Sequence, residues 1–283
     1  MLRTQVVVLL VAIWPALASA DDWRAFQVTA DGVVVVSVYI GGEGPFAFLL
    51  DTGSSRSAIS TDLALRLGAR QVGETTVLTP SGRVVRPLTP LSRISLDGSP
   101  PAAALAMIVP ERDLARGVHA EGILGADVLM RFVLTIDYER ARISWKTTRA
   151  LDDALTLPLA TAGGRFVVSV THPTCTAWCV PLKLIPDTGT DGVVLFNRPG
   201  DSLHFVTPLA ASAVRSLAGV RPAQLVLIGA SGLRDIELDG RIASLIDLPP
   251  EDSLQVDGLL PLHFFARVTL DGPGKTVTLV RRQ

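Results

Sequence analysis

The chain has 283 residues, of which 48% are hydrophobic, so it is long enough for two compact units with apolar cores. Its 26 basic and 27 acidic residues nearly balance, and the formal net charge is -1. This balance excludes a general electrostatic attraction to nucleic acid or to an anionic membrane. We therefore expect no nucleic-acid partner.

The first twenty residues (1–20) have the pattern of a signal peptide. Arg3 supplies a positive charge, residues 6–18 are apolar, and residues 18–20 are the small residues that a signal peptidase recognises. We expect cleavage before Asp21 and a secreted or periplasmic mature chain without stable membrane insertion. The alternative is an uncleaved N-terminal anchor, although the apolar run is short for a membrane span.

In the first half of the chain, short apolar runs separated by Gly and Pro turns predict strands. We expect these strands at residues 33–40, 46–50, 74–79, 83–88, 103–109, 133–137 and 141–146. Ser60 is expected to cap a short helix, and Gly68 lies where the glycine that ends a helix belongs. Residues 79–82 have the composition of a hairpin tip.

The second half repeats the order of the first. Asp187 lies 136 positions after Asp51 (187 - 51), and Gly258 lies 136 positions after Gly122 (258 - 122). Two copies indicate a duplication rather than a solenoid, which needs at least three units. We therefore predict a mostly β protein with few short helices, built from two homologous barrel-like lobes at residues 22–148 and 154–283.

The two cysteines, Cys175 and Cys179, lie in a turn that is longer in the second half than in the first. In a secreted chain they can form a local disulfide, which would pin this turn, and we favour that role over a reactive redox pair. Neither cysteine has Cys or His partners at the spacing of a metal site. We therefore expect neither a metal nor another cofactor.

The internal repeat carries the same short motif twice, each time after an apolar run. The first copy is Asp51-Thr52-Gly53-Ser54 and the second is Asp187-Thr188-Gly189-Thr190. Together with Gly122-Ile123-Leu124-Gly125, these motifs resemble the aspartic protease superfamily, in its pepsin-like and retropepsin-like forms, and bacterial retropepsin-like proteases in particular. The resemblance covers nearly all of the chain after residue 20. It implies the acid protease fold, with a cleft between the two lobes.

The resemblance also implies roles for the motif residues. Asp51 and Asp187 would be the catalytic pair, and Thr52 and Thr188 would hydrogen-bond across the seam between the two loops. The glycines Gly53 and Gly189 allow sharp turns that present backbone N–H groups to the carboxylates. We expect the hydroxyls of Ser54 and Thr190 to donate to the outer carboxylate oxygens. These six residues complete the predicted support of the active-site loops: Thr52, Gly53, Ser54, Thr188, Gly189 and Thr190.

Two adjacent carboxyl groups suit peptide hydrolysis for a physical reason. Like charges at close range cannot both ionise easily, so the pair shares one proton. The ionised member can take a proton from water, while the neutral member donates to the developing oxyanion. We therefore predict an aspartic endopeptidase that takes an extended peptide as substrate and acts as a monomer. Which aspartate holds the proton stays open, because titration belongs to the pair.

The sequence departs from the family pattern at three points, which motivate an alternative. Pro186 precedes the second aspartate, Pro261 replaces the glycine found at Gly125, and neither Tyr39 nor Tyr138 lies in a flap-like hairpin tip. The flap would then come from another segment, such as residues 229–232. The alternative function is a module that binds peptide or cell-wall material with little or no turnover. A homodimer of the retropepsin type is a further alternative to the monomer.

Overall fold

A computed structural model describes residues 23–29, 32–79, 82–96, 99–114, 119–145, 154–170, 182–190, 192–197, 220–222, 226–228, 235–237, 242–247 and 255–282. The described residues are mostly strand, with two short α-helices, as the sequence predicts. The predicted signal peptide, the pair Cys175 and Cys179, and the alternative flap at residues 229–232 all lie outside the described residues.

Before residue 146, the described part of the chain contains eleven strands and two α-helices. The strands are β1 (Arg24–Ala25), β2 (Gln27–Val28), β3 (Val34–Ile40), β4 (Glu43–Leu50), β5 (Ala58–Ser60), β6 (Gly73–Thr79), β7 (Gly82–Leu96), β8 (Ala102–Val109), β9 (Gly122–Leu124), β10 (Val133–Asp137) and β11 (Arg142–Ser144). The helices are α1 (Thr61–Arg66) and α2 (Ala126–Leu129), and a 3₁₀ turn spans Glu111–Asp113.

The remaining described strands follow residue 153. They are β12 (Ala154–Pro158), β13 (Ala160–Ala162), β14 (Arg165–Val170), β15 (Leu182–Asp187), β16 (Val193–Asn197), β17 (Val220–Pro222), β18 (Val226–Ile228), β19 (Asp235–Glu237), β20 (Ile242–Asp247), β21 (Gly258–Pro261), β22 (Arg267–Asp271) and β23 (Thr276–Val280). A second 3₁₀ turn spans Leu262–Phe264. Strands β18 and β19 pair with each other in a separate two-stranded sheet.

The sheet of the first half curls back on itself. Its strand order is β2-β3-β4-β9-β5-β8-β7-β6, and β3 also pairs with β7. Strands β3, β4, β9, β5, β8 and β7 therefore form a closed ring, which agrees with the predicted barrel-like architecture. Buried side chains from opposite sides of the ring, including Leu50 of β4 and Ala106 of β8, belong to one apolar core.

The sheet of the second half repeats this pairing pattern. Its order is β13-β14-β15-β21-β16-β20-β17. The pair β15 and β21 is parallel, as is β4 and β9, and the pair β16 and β20 is parallel, as is β5 and β8. The duplication detected in the sequence is therefore also present in the strand topology. The predicted boundaries at 22–148 and 154–283 stay predictions.

A third sheet combines strands from both halves. Its order is β1-β11-β10-β22-β23-β12, so three strands from each half lie side by side. At its centre Thr135 pairs with Thr269, and their hydroxyl oxygens lie 3.0 Å apart. Because β10 and β22 are direct neighbours, this sheet joins the two halves beneath the strands that carry the motifs.

The helix α1 begins and ends as predicted. The Ser60 hydroxyl accepts a hydrogen bond from the Leu63 N–H at 3.0 Å, which satisfies a donor in the first turn. Gly68 follows the helix with a φ of +58°, the left-handed conformation that glycine adopts without strain. Within the described ranges, no helix has the length and apolar character needed to cross a membrane.

Asp137, at the end of β10, is a buried carboxylate that contacts three partly exposed arginines. Its side chain is 1% exposed, and its Oδ2 lies 3.1–3.3 Å from the guanidiniums of Arg140, Arg142 and Arg267. Burial raises the pKa of Asp137, but the Arg140 N–H and the arginine charges outweigh it, and the net pKa lies below the ordinary value. The carboxylate therefore stabilises the fold in its ionised form.

Replacing Asp137 by Asn should lower the free energy of unfolding by roughly 2 kcal/mol at neutral pH, allowing for the partly exposed arginines. Because the folded-state pKa is depressed, this contribution is present above the unfolded-state pKa and is lost as the pH falls through the folded-state pKa. Denaturant titrations at neutral and acidic pH should therefore show a difference that shrinks in acid. The exposed Asp62→Asn variant serves as the control, and an equal loss in both variants would contradict this account.

Candidate active site

The two motif aspartates lie at the ends of corresponding strands. Asp51 directly follows β4, and its N–H donates to the Leu124 carbonyl at 3.0 Å. Asp187 is the last residue of β15 and pairs with Pro261 of β21. In each half, a parallel neighbour strand thus fixes the point at which the chain leaves the sheet. Asp51 is partly buried, and Asp187 is 4% exposed.

The two loops are joined by hydrogen bonds of Thr52 and Thr188, as the resemblance implies. The Thr52 hydroxyl donates to the Pro186 carbonyl at 2.6 Å and accepts from the Thr188 N–H at 3.1 Å. The Thr188 hydroxyl donates to the Leu50 carbonyl at 2.5 Å and accepts from the Thr52 N–H at 3.1 Å. Both threonines are 1% exposed, so these four hydrogen bonds are buried. We call this arrangement, in which Thr52 and Thr188 join the two loops, the lock.

This lock brings each aspartate against the glycine of the opposite motif. A Cβ placed on Gly53 would lie 2.5 Å from Oδ2 of Asp187, and one placed on Gly189 would lie 2.9 Å from Cγ of Asp51. Each carboxyl group is close enough to the other to shift its pKa. The structure therefore brings together the two aspartates that the repeat singled out.

Backbone N–H groups hold the carboxylates within each loop. The Ser54 N–H donates to Oδ1 of Asp51 at 2.9 Å, and the Gly189 N–H donates to Oδ1 of Asp187 at 2.7 Å. The expected contacts of the two motif hydroxyls differ: the Ser54 hydroxyl donates to the Arg56 carbonyl and the Thr190 hydroxyl to the Gly192 carbonyl. The expectation that they donate to the carboxylates is therefore wrong, because each sharp turn places a main-chain acceptor nearer.

Burial dominates the electrostatics of the pair. It raises the pKa of Asp51, against the lowering effects of the Ser54 N–H, the Asp187 hydrogen bond and the Arg165 charge. Burial also raises the pKa of Asp187, and the negative charge of Asp51 adds to that rise. The two groups thus favour a state in which one carboxyl is ionised and the other is protonated.

A serine and an aspartate behind the first loop were not singled out from the sequence. The Ser57 hydroxyl donates to Oδ1 of Asp127 at 2.7 Å and accepts from the Gly125 N–H at 3.0 Å. The Ser57 N–H also donates to Oδ1 of Asp127, at 2.9 Å. These bonds tie α2 to the loop that follows Asp51. At the position that corresponds to Asp127, the second half has His263. This difference between the two copies of the repeat is the sequence feature that distinguishes Asp127.

The two prolines affect the site in different ways. Pro186 lacks an N–H, but its carbonyl accepts from Thr52 as the Leu50 carbonyl accepts from Thr188, so the proline leaves the lock intact. Gly125 has no room for a side chain, since its Cβ would lie 2.6 Å from the Arg56 carbonyl carbon. Pro261 at the matching position is followed by a 3₁₀ turn rather than an α-helix, so the two halves differ in shape here.

The predicted hairpin of the first half is present in β6 and β7, where Thr79 pairs with Gly82. Its two tip residues lie outside the described ranges. Tyr39 lies in β3 opposite Ser95, and Tyr138 is buried against Phe26 with a ring separation of 6.2 Å. The two tyrosines therefore lie away from this tip, as predicted.

Arg56 follows the first motif and is partly buried. In the structure its Nη1 donates to the Leu105 carbonyl at 2.7 Å in an exposed position. The guanidinium thereby ties the first loop to β8. The described residues contain no cluster of three or more His, Cys, Asp or Glu able to hold a metal ion.

Comparisons with known proteins agree with this geometry. Residues 36–128 match the model of a family described as aspartyl protease. This match supports an aspartyl protease family for the part of the chain that holds Asp51 and α2. No curated protein matches the sequence.

Two solved structures share the fold at low sequence identity. Basic 7S globulin from soybean superposes with a TM-score of 0.56 at 11% identity, covering 90% of this chain and 93% of the globulin. Conglutin gamma, a basic 7S globulin from lupine seeds, gives a TM-score of 0.54 at 10% identity, covering 92% and 95%. At these identities the likeness shows the fold alone.

Replacing Thr52 by Val should destabilise the protein, because it removes the hydroxyl while keeping the shape. The Thr188 N–H and the Pro186 carbonyl would each lose a buried partner, at a cost of about 1–3 kcal/mol per group. Thr52→Ser keeps the hydroxyl and is the matched control. Thermal unfolding should place the Val variant well below the Ser variant, and equal stability of the two would show that the lock contributes little.

Proposed function

We propose that this chain is a secreted or periplasmic aspartic endopeptidase of the retropepsin-like type, with Asp51 and Asp187 as its catalytic pair. The observation that carries the proposal is the contact between two buried carboxyl groups from corresponding strand ends. Two desolvated carboxyls held together are costly to the fold unless they share a proton. Such a pair is suited to activating water without a metal or a covalent nucleophile.

The reaction follows from the protonation state of the pair. A water molecule between the carboxyls gives a proton to the ionised aspartate and attacks the peptide carbonyl carbon, while the protonated aspartate donates to the carbonyl oxygen. The tetrahedral intermediate then breaks at the C–N bond. The leaving nitrogen takes up the proton held by the pair, and one hydroxyl of the intermediate gives its proton to the pair as the carbonyl re-forms, so the pair is again singly protonated.

The substrate is proposed to be an extended peptide that lies across the two loops. An extended chain can pair its backbone with a hairpin edge, so that main-chain hydrogen bonds position the scissile bond and side chains fill alternate pockets. The β6–β7 hairpin, which is the outermost pair of the first sheet, offers such an edge. Because one chain supplies both aspartates, we propose that the monomer is active.

Purified protein incubated with an unstructured protein, from acidic to neutral pH, tests the proposal. Hydrolysis should yield discrete peptides by mass spectrometry, and a statine inhibitor, which mimics the tetrahedral intermediate, should block it. Retention of the substrate without fragments at any pH would favour the binding module instead. Solution mass measurement separates the monomer from a homodimer.

A further inference from the structure

One arginine of the second half reaches the catalytic loop of the first. Strands β13 and β14 form a hairpin whose turn, Gly163-Gly164, has positive φ values of 56° and 76°. Arg165 follows this turn, and its Nε donates to the Gly53 carbonyl at 2.6 Å. Its Nη1 also donates to the Gly163 carbonyl at 3.3 Å, which anchors the guanidinium to its own turn.

The arginine acts on Asp51 through a single peptide unit. The carbonyl of Gly53 and the N–H of Ser54 belong to the same peptide group, and that N–H donates to Oδ1 of Asp51 at 2.9 Å. A cation on the carbonyl oxygen polarises the peptide and strengthens the donation at its other end. The positive charge and the polarised N–H therefore both favour the carboxylate form of Asp51.

The repeat has no matching cation in the first half. Val168 pairs with Leu184 in the second sheet, and Val36 pairs with Phe48 in the first. Arg165 lies three residues before Val168, and Val33 lies three residues before Val36. The first half therefore has Val33, a buried aliphatic residue, at the position that corresponds to Arg165. The two halves thus present corresponding aspartates in unequal electrostatic surroundings.

We propose that Arg165 is a positioning residue that keeps the negative charge of the pair on Asp51, so that Asp187 carries the shared proton. Asp51 then acts as the base toward water, and Asp187 as the acid toward the carbonyl oxygen. This assignment of roles rests on the proposed function. Burial raises the pKa of both aspartates, and the charge of Arg165 opposes that rise at Asp51.

The charged and titratable groups around the pair are consistent with this role. Asp51 interacts with Asp187 and Arg165. Asp187 interacts with Asp51 and also with the buried Tyr138, whose phenol pKa is raised by burial and by the Asp187 charge, against the lowering effect of Arg282. A neutral phenol adds no charge at working pH, and among the described residues Arg165 is a cation whose charge acts on Asp51.

The test compares three variants at this position with a control elsewhere. Arg165→Met removes the charge and the hydrogen bond, Arg165→Gln keeps a donor without charge, and Arg165→Lys keeps the charge. Arg112→Met is the control, since that side chain is 83% exposed and its guanidinium lies 3.8 Å from Asp113. Thermal unfolding of each variant verifies that it is folded before titration.

Carbon-13 NMR of the aspartate carboxyls reads the protonation states without requiring turnover. Removing the cation should raise the lower pKa of the pair by about one unit in the Met and Gln variants, while the Lys and Arg112→Met variants stay near the wild type. The acidic limb of the kcat/KM profile should move to higher pH by the same amount, because the singly protonated pair gains its second proton earlier. A merely structural role would lower stability without moving this limb.

The outcomes separate this inference from the proposed function. An unchanged carboxyl titration in folded Met and Gln variants overturns the role of Arg165, even if the wild type cleaves peptides. A shifted titration in a protein that cleaves nothing supports the charge assignment and refutes the endopeptidase. A shift in both the titration and the rate profile supports both.

Discussion

Replacing Asp51 or Asp187 by Asn should reduce peptide hydrolysis by at least about 10³-fold in each single variant. Each substitution keeps the size of the side chain but removes the shared proton and one of the two acid–base groups. Because each carboxyl shifts the pKa of the other and the two act as one acid–base unit, the two losses should not be additive, and the double variant should be little worse than either single one.

The measurement is kcat/KM on a fluorogenic peptide derived from an identified cleavage site. Asp271→Asn is the matched control, because Asp271 lies at the end of β22 and its Oδ1 accepts from the Gly274 N–H at 2.7 Å, as a turn residue. The control should retain nearly full activity. Substantial hydrolysis by both single variants would show that the cleavage does not depend on the pair.

The Asn variants should also be more stable than the wild type at neutral pH. In the wild type, desolvation of the carboxylates and the repulsion between them when both are ionised lower the stability of the folded state. A neutral amide removes this destabilisation. The stability gain should vanish in acid, where both carboxyls are protonated, since groups with raised pKa values penalise the fold only above the unfolded-state pKa. A loss of activity accompanied by a gain in stability would separate a chemical defect from misfolding.

The sequence was sufficient for features that depend on neighbours along the chain or on the internal repeat. Ser60 and Gly68 could be placed because helix caps need particular side chains at fixed offsets. The strands around each motif followed from apolar runs, and the contact of Thr52 with Thr188 followed from the family resemblance. These features are local or symmetric, so one copy of the repeat informs the other.

The features that the sequence did not yield depend on asymmetric contacts between distant segments. Arg165 lies 112 positions from Gly53, and no motif links them. Asp127 and Ser57 are 70 positions apart and meet because β9 threads behind the loop. The Ser54 hydroxyl turned to the Arg56 carbonyl because the path of the backbone decides between competing acceptors. Arg165 and Asp127 each correspond to a residue of a different type in the other half, so a position-by-position comparison of the two halves identifies both as asymmetric.

Replacing Gly53 by Ala should lower kcat/KM by about 10²-fold while leaving the fold intact. The added methyl carbon would lie 2.5 Å from Oδ2 and 2.6 Å from Cγ of Asp187, closer than non-bonded atoms approach. The Asp187 carboxyl is held by the Gly189 N–H and by the lock, so it must rotate or shift away from Asp51. The expected cost in stability is about 1–3 kcal/mol, as for other overpacked positions.

Gly73→Ala is the matched control for this substitution. A Cβ at Gly73 meets no atom within 4 Å, and the backbone there is not in the left-handed region, so the change should be neutral. A crystal structure or carboxyl NMR titration of the Gly53 variant should show the two aspartates titrating more independently than in the wild type. Wild-type activity in Gly53→Ala would mean that the close approach of this glycine to Asp187 is not needed for the chemistry, and the tight geometry of the pair would then have to be explained by folding alone.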